Sequence, residues 1–229
     1  MAPEVTNTKK SSTESIVRYT EILFNTINHM LIAYVSIYLS YVSYMNGFKN
    51  LFTWHIFLPA VGYHFFMAES FLTLYSNNSW TMENTPEMKR RLHWILQVIG
   101  CLAIFVGTGL EIYDKEEKNR SHFKSPHAIT GLVSIVFIVL SMLNGWAAMY
   151  AMKIRHIIKP IYIKLSHYLC GIVAFVIGMT SLALEYSPRR MLSKENVNML
   201  ILFTSVVSAF TVIGAGKTMF AQFKGMCRR

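Results

Sequence analysis

The sequence predicts an all-α integral membrane protein with six transmembrane helices and a central four-helix bundle. Hydrophobic residues make up 53% of the 229 positions and charged residues only 15%, a balance that excludes an ordinary soluble domain. A helix needs about 20 residues to cross a hydrocarbon core of about 30 Å. Six apolar stretches reach that length, at 21–44, 52–75, 92–113, 127–151, 161–185 and 196–221.

These spans form one membrane domain over residues 21–221, between a cytosolic tail at 1–20 and another at 222–229. The first twenty residues are polar, and no small-residue cleavage pattern follows the first span, so we predict no cleaved signal peptide. Little chain is left for a soluble domain. Any chemistry must therefore occur within the bundle or at its two mouths.

Basic residues in the short loops predict the orientation. One side holds fourteen of the 22 Lys and Arg residues. They are Lys9, Lys10, Arg18, Lys89, Arg90, Arg91, Lys153, Arg155, Lys159, Lys164, Lys217, Lys224, Arg228 and Arg229; the other side holds Lys49, Lys115, Lys118, Arg120, Lys124, Arg189, Arg190 and Lys194. Both termini should face the cytosol. The net charge of +10 then reflects this topology and attracts anions to the cytosolic mouth of the bundle. The sequence has no basic stripe with interleaved aromatic residues, so it does not indicate a nucleic-acid partner.

Four histidines lie near the start of the four central spans, one in each. His55 and His127 begin spans that enter from the non-cytosolic side, whereas His93 and His167 begin spans that enter from the cytosol. They therefore form two pairs at opposite depths, roughly 20 Å apart at 1.5 Å of rise per residue. Ionisable side chains inside a bilayer are expensive and usually functional. The pattern predicts two bis-imidazole sites.

The ligand type favours haem iron at both sites. Zinc would require a mixed tetrahedral set, and the three cysteines, Cys101, Cys170 and Cys227, have no metal-ligand spacing. Two histidines on facing helices match six-coordinate haem iron in a helical bundle. The chain has no C-x-x-C-H motif, so we predict two non-covalent b haems per chain.

Other residues near these sites leave two interpretations open. Glycines share the helix face of His93 and of His167, where they could accommodate a macrocycle or simply allow close helix packing. Glu69 could accept a proton or anchor the cytosolic haem, or it could be a hydrogen-bonded carboxylate at the membrane edge. We expect His64 and His29 to be packed or partner-facing histidines, with His29 lacking a partner at its depth.

Four short motifs resemble the cytochrome b561 family, and the likeness extends over nearly the whole chain. They are Trp54-His55, the run from His93 to Gln97, the run from Pro126 to Gly131, and the run from Lys164 to His167. The chain is most similar to the animal branch of tumour-suppressor cytochromes, in which Glu69 has a counterpart. It departs from the family at Ile56, where a proline is usual, with Pro59 one turn later; this puts the local helix bend in question.

The resemblance implies a transmembrane reductase that takes electrons from cytosolic ascorbate. The acceptor would be monodehydroascorbate radical or ferric iron on the other side, and the protein would be a homodimer in an endomembrane, with the endoplasmic reticulum the first expectation. Candidate substrate residues are Lys89, Arg90, Arg91, Arg155 and Lys164 on the cytosolic side and Arg120, His122 and Lys124 on the other. A solvated positive-inside patch explains the same cytosolic residues without a substrate.

Two other functional classes compete with electron transfer. A metal or proton transporter could use intramembrane histidines as a relay, which predicts histidines staggered along a path. The clustering at two depths argues against that arrangement. A non-catalytic membrane scaffold would need no matched histidines at all.

The orientation predicts which N-x-S triplet can be glycosylated. Asn119 lies on the non-cytosolic side and Asn77 on the cytosolic side. We expect Asn77 to stay unmodified when the protein is expressed in a glycosylating cell, as measured by glycosidase-sensitive mobility of N77Q and N119Q variants. A glycan on Asn77 would invert the orientation.

Overall fold

The computed structural model describes residues 4–187 and 193–227, and side chains over 12–187 and 193–225. All regular structure in these residues is helical. The elements are α1 (Glu4–Asn46), α2 (Leu51–Val61), a π-helical segment (Gly62–Met67), α3 (Ala68–Thr73), α4 (Pro86–Glu117), α5 (Pro126–Met149), α6 (Pro160–Glu185) and α7 (Lys194–Cys227). The segment from α2 through the π segment to α3 is one continuous span.

Within the described residues, six helical spans are long and apolar enough to cross a membrane, which confirms the predicted fold class. The spans agree with the predicted stretches except at the ends. Helix α1 begins at Glu4, so the segment predicted as a tail continues the first helix, and α7 runs beyond residue 221. Arg189, Arg190, Arg228, Arg229 and the side chains of Lys9 and Lys10, all used to predict the orientation, lie outside the described residues.

Local sequence signals set where the central helices begin. Pro86, Pro126 and Pro160 each occupy the first turn of a helix, where the missing N–H costs no hydrogen bond. Thr85 and Ser125 cap α4 and α5 by accepting backbone N–H bonds of 3.2 and 3.1 Å. These caps fix the helix starts close to His93 and His127.

The bundle is built from two helical hairpins. Span α2–π–α3 packs along α4, and α5 packs along α6 over most of its length. Helices α1 and α7 pack against each other and against the outside of the bundle, α1 on α2 and α7 on α3 and α6. The four spans that carry His55, His93, His127 and His167 are therefore the central ones.

The second span contains the backbone irregularity that the Pro59 position left in question. Pro59 has no N–H to donate, and the chain passes into the π segment three residues later, at Gly62. The N–H of Gly62 is shared between the carbonyls of Leu58 and Pro59. A π turn contains one more residue than an α turn and so changes the register of the rest of the span.

The glycines near the histidines serve helix packing. A Cβ on Gly107 would lie 2.5 Å from Pro59 Cδ, and one on Gly100 would lie 2.9 Å from Phe66 Cβ. A Cβ on Gly178 would lie 2.1 Å from Tyr63 Cε1. Because protein atoms already fill these spaces, Gly100, Gly107 and Gly178 allow close packing against the second span.

Substituting Gly178 tests this packing. We expect Gly178→Ala to lower the free energy of unfolding by about 1–3 kcal/mol, because the methyl group overlaps the buried Tyr63 ring. Gly109→Ala is the matched control, since a Cβ there meets nothing within 4 Å and alanine favours the helix. Thermal unfolding in detergent measures both; equal midpoints for the two variants would contradict the packing role.

Candidate functional site

The structure brings the four histidines together in the two predicted pairs. The ring centroids of His55 and His127 are 6.0 Å apart, and those of His93 and His167 are 6.1 Å apart. Each pair joins one helical hairpin to the other, because α2 faces α5 and α4 faces α6 at these rings. We call the two ends of the bundle the His55 end and the His93 end.

All four rings point Nδ1 at a backbone carbonyl of the neighbouring helix in the same hairpin. The distances are 3.0 Å from His55 to Gly107, 3.0 Å from His93 to Ser70, 2.8 Å from His127 to Ser181 and 2.9 Å from His167 to Ser141. A carbonyl oxygen only accepts, so Nδ1 carries the hydrogen and Nε2 carries the lone pair. Metal-ligating histidines typically show this arrangement.

Three of these contacts are reciprocal. The serine that accepts the ring N–H through its carbonyl also donates its hydroxyl to the carbonyl of the same histidine. The Oγ-to-O distances are 2.9 Å for Ser70 and His93, 2.8 Å for Ser181 and His127, and 3.4 Å for Ser141 and His167. We call these three contacts the serine clasps; Gly107 replaces serine at the fourth position.

Sequence reasoning missed the acceptors, although the sequence contains a signal for them. Gly107, Ser141 and Ser181 each lie fourteen residues after the histidine of their own span, while Ser70 lies fifteen after His55. The second span alone contains the π segment, which accounts for its additional residue. A repeat at this spacing therefore marks both a histidine and the acceptor for the histidine of the partner span in the same hairpin.

The geometry fits a haem at each pair. An iron–nitrogen bond of about 2 Å on each side, plus about 1.2 Å from each nitrogen to its ring centre, would put two axial imidazole centroids roughly 6.4 Å apart. The observed separations of 6.0 and 6.1 Å are close to this value. The described residues contain no group of three or more His, Cys, Asp or Glu side chains arranged for a metal ion.

A cavity of about 480 Å³ adjoins the pair at the His55 end. Its size lies within the range of small-molecule and cofactor pockets. His55, His127, Gly131 and Tyr63 line its interior, and Arg120 and His122 lie at its mouth. Of the three substrate residues predicted on this side, Lys124 is not among the lining residues that the structure describes.

Charges at this mouth are mostly paired. His122 Nε2 lies 2.8 Å from a carboxylate oxygen of the exposed Glu116, and Lys118 contacts Asp114 at 2.5 Å. Asn119 lies just before the mouth, two residues after the end of α4, and adopts a left-handed backbone with φ of 49°. The Arg120 N–H bonds back to the Lys115 carbonyl, which closes the end of the helix. The mouth therefore presents a mixed rather than a purely basic surface.

The predicted donor-side residues lie around the His93 end but do not converge on one point. Arg90 pairs with Glu87 at 2.8 Å, and both are exposed. Lys89 donates to the Tyr75 carbonyl at 3.4 Å and is partly buried. Arg91 and Arg155 are exposed, and Lys164 is half-buried one turn before His167.

Two further histidines lie away from the pairs. His64 is fully buried and bonds to Thr204 Oγ1 at 3.0 Å, so it is a packed histidine as predicted. The expectation that His29 lacks a partner is wrong: its Nδ1 lies 2.7 Å from Glu69 Oε1. No local pattern predicts this contact, because it joins α1 to α3 across forty residues.

Comparisons with known proteins identify similar chains. The family model of eukaryotic cytochrome b561 matches residues 54–193. The transmembrane reductase CYB561D2 of Mus musculus and that of Homo sapiens are each 29% identical over 136 residues, which cover 59% of this chain and 61% of theirs. The probable transmembrane reductase CYB561D1 of Mus musculus is 25% identical over 135 residues, 59% of this chain and 58% of that protein. The match therefore spans about three fifths of the relatives' length, and it confirms the predicted resemblance.

Removing single hydroxyls tests the serine clasps. We expect Ser181→Ala to lower the free energy of unfolding by about 1 kcal/mol, because its interhelical bond is lost, and Ser141→Ala to cost less, because its bond is longer. Ser205→Ala is the control, since that hydroxyl bonds only within its own helix and faces outward. Denaturant titration of the purified variants measures the order; an equal cost at all three positions would contradict it.

Proposed function

Since this chain belongs to the cytochrome b561 family, we propose that it is a transmembrane one-electron reductase. It takes electrons from cytosolic ascorbate and delivers them to a non-cytosolic acceptor, either monodehydroascorbate radical or ferric iron. The observation that carries this proposal is the pair of facing histidine rings at each end of the bundle, all four with Nδ1 bonded to a carbonyl.

The proposed cofactors are two b haems per chain, one for each histidine pair. His55 and His127 would hold one, and His93 and His167 the other. When bound, the haems would supply the one-electron relay that these side chains lack. The protein's own contribution is to fix the imidazole tautomer and orientation, because hydrogen bonds to ligating histidines stabilise both.

At the His93 end, the basic residues would recruit the anionic donor. Exposed positive charge at a mouth raises the local concentration of anions and their rate of association. Arg91 and Arg155 support this role best, because both are exposed, and Lys164 lies within one turn of His167. Arg90 contributes less, since its charge is shared with Glu87.

At the His55 end, Arg120 and His122 would meet the acceptor at the cavity mouth. The cavity adjoins His55 and His127 directly, so an acceptor in it would lie close to the terminal electron carrier. Paired acids and bases at the mouth are compatible with either a radical anion or a cation such as ferric iron. Lys124 does not line the cavity, but its neighbours Phe123 and Ser125 do, and it stays a candidate contact on this side.

The orientation and assembly belong to the same proposal. Both termini would face the cytosol, which makes the His93 end the donor side. The protein would be a homodimer in an endomembrane, and the endoplasmic reticulum is the first membrane to examine. The positive-inside count of basic residues supports the orientation.

A reduced-minus-oxidised visible spectrum of the detergent-purified protein, titrated with ascorbate and paired with a haem-to-protein ratio, tests the function. We expect two b haems per chain, both reduced by ascorbate. A colourless protein that reconstitutes no haem would contradict the proposal and favour a histidine-relay transporter.

Single histidine substitutions test the pairing. We expect His93→Leu or His167→Leu to reduce the haem content from two per chain to one, and His55→Leu or His127→Leu to remove the other, because each site loses one axial ligand. His156→Leu, in the exposed loop after α5, should retain both. Retention of two haems in a ligand variant would refute the pairing; pyridine haemochrome assays give the ratio.

A further inference from the structure

A cluster of polar side chains lies at the His93 end, outside the two histidine pairs. We call it the His29 cluster, and it consists of His29 and Asn25 of α1, Glu69 of α3, and Asn78 and Trp80 of the loop before α4. The side chains of His29 and Glu69 keep only 16% and 9% of their accessible surface. Ionisable groups that are largely shielded from solvent within membrane spans are costly and are usually functional.

The hydrogen bonds of the cluster assign the proton on one ring nitrogen. His29 Nε2 lies 2.7 Å from Asn78 Oδ1 and 3.1 Å from Asn25 Oδ1. The oxygen of Asn25 is identified because it accepts the Ser79 backbone N–H at 2.7 Å. Since both neighbours of Nε2 are acceptors, Nε2 carries a hydrogen.

The other ring nitrogen makes the contact that matters for charge. His29 Nδ1 lies 2.7 Å from Glu69 Oε1, and the second carboxylate oxygen accepts the Trp80 indole N–H at 3.2 Å. A distance of 2.7 Å between these atoms requires one proton between them, whichever atom owns it. The pair therefore has one proton that it can release without losing the bonds to Asn78 and Trp80.

This proton lies one residue from the support of an electron-transfer site. Glu69 precedes Ser70, whose carbonyl accepts the His93 Nδ1–H at 3.0 Å and whose hydroxyl donates to the His93 carbonyl at 2.9 Å. A continuous set of contacts thus runs from His29 through Glu69 and Ser70 to His93. Such a contiguous network can carry energetic coupling between two sites.

We propose that the His29–Glu69 pair takes up one proton when the His93–His167 site takes up one electron, an inference that rests on the proposed function. The donor, an ascorbate monoanion, loses one electron and one proton. The electron goes to the His93–His167 site and a proton goes to the Nδ1–Oε1 contact, so the charge at this depth does not change. Keeping the charge constant avoids the cost of an unpaired charge in a low-dielectric region.

Other charged groups around the cluster are engaged elsewhere. Glu21 of α1 bonds to Tyr75, Asn77 and, at 2.5 Å, to Lys217 of α7; Lys89 of α4 contacts the Tyr75 carbonyl; and His93 is bonded to Ser70. Burial and the bond to Glu21 raise the pKa of Tyr75, so its hydroxyl stays protonated. The His29–Glu69 contact thus holds the exchangeable proton that lies next to Ser70.

The test is a redox titration of the haem-loaded protein at a series of pH values. Because protons bind on reduction, the potential assigned to the His93–His167 site should fall as pH rises, by up to 59 mV for each tenfold change in proton concentration. Glu69→Gln and His29→Gln should flatten this dependence while both haems stay bound. Glu21→Gln is the matched control, a carboxylate at the same end that does not adjoin Ser70, and it should keep the wild-type slope.

Two results would overturn the inference: a pH-independent potential in the wild type, or an unchanged slope in both variants. If the variants lose this haem, the infrared reduced-minus-oxidised difference spectrum of the wild-type protein decides. We expect a band from a newly protonated carboxyl or imidazole group on reduction. Absence of that band would contradict the inference. Failure of the proposed function would look different. The protein would then hold no haem or would not be reduced by ascorbate.

Discussion

The bond from a histidine Nδ1–H to a backbone carbonyl of the neighbouring helix is the interaction on which the bundle depends. Each hairpin has two such bonds, one at each end: His55 to Gly107 and His93 to Ser70 in the first, His127 to Ser181 and His167 to Ser141 in the second. Because the donors sit on antiparallel helices, the bonds fix register and ring orientation together. The hairpins themselves meet mainly where the π segment approaches α6, with one further ring contact between Phe71 and Phe175. A cofactor held between facing histidines would therefore join the hairpins and stabilise the folded state.

The π segment makes these bonds possible in the second span. A histidine and the acceptor for the histidine of the partner span are fourteen residues apart in three spans, a separation that returns to nearly the same helix face at 3.6 residues per turn. The second span has fifteen, and an uninterrupted α-helix would rotate Ser70 by about 100° away from His93. The π turn after Pro59 absorbs the additional residue, so the irregular backbone restores the register that the other spans have by sequence alone.

The sequence predicts the six spans and the pairing of histidines because both depend on local patterns: apolar length for the spans, and depth from each span's start for the rings. It does not predict contacts that depend on distant loops. The His29 contact to Glu69 requires the loop with Asn78 and Trp80 to fold beneath α1, and no periodicity encodes that. The helical start of α1 at Glu4 is equally hidden, because its residues are polar and hydropathy marks only the membrane-crossing part.

Although the hairpins place equivalent histidines at both ends, the loops make the two ends different. The His55 end opens into a cavity of about 480 Å³ whose mouth is formed by the loop between α4 and α5. At the His93 end, the loop between α3 and α4 instead packs inward and buries Asn78 and Glu69 against His29. The two histidine pairs therefore have different surroundings: one adjoins an open cavity, and the other lies close to the His29–Glu69 contact. Under the proposed function, the direction of electron transfer would arise from the loops, because the two histidine pairs alone are nearly symmetric.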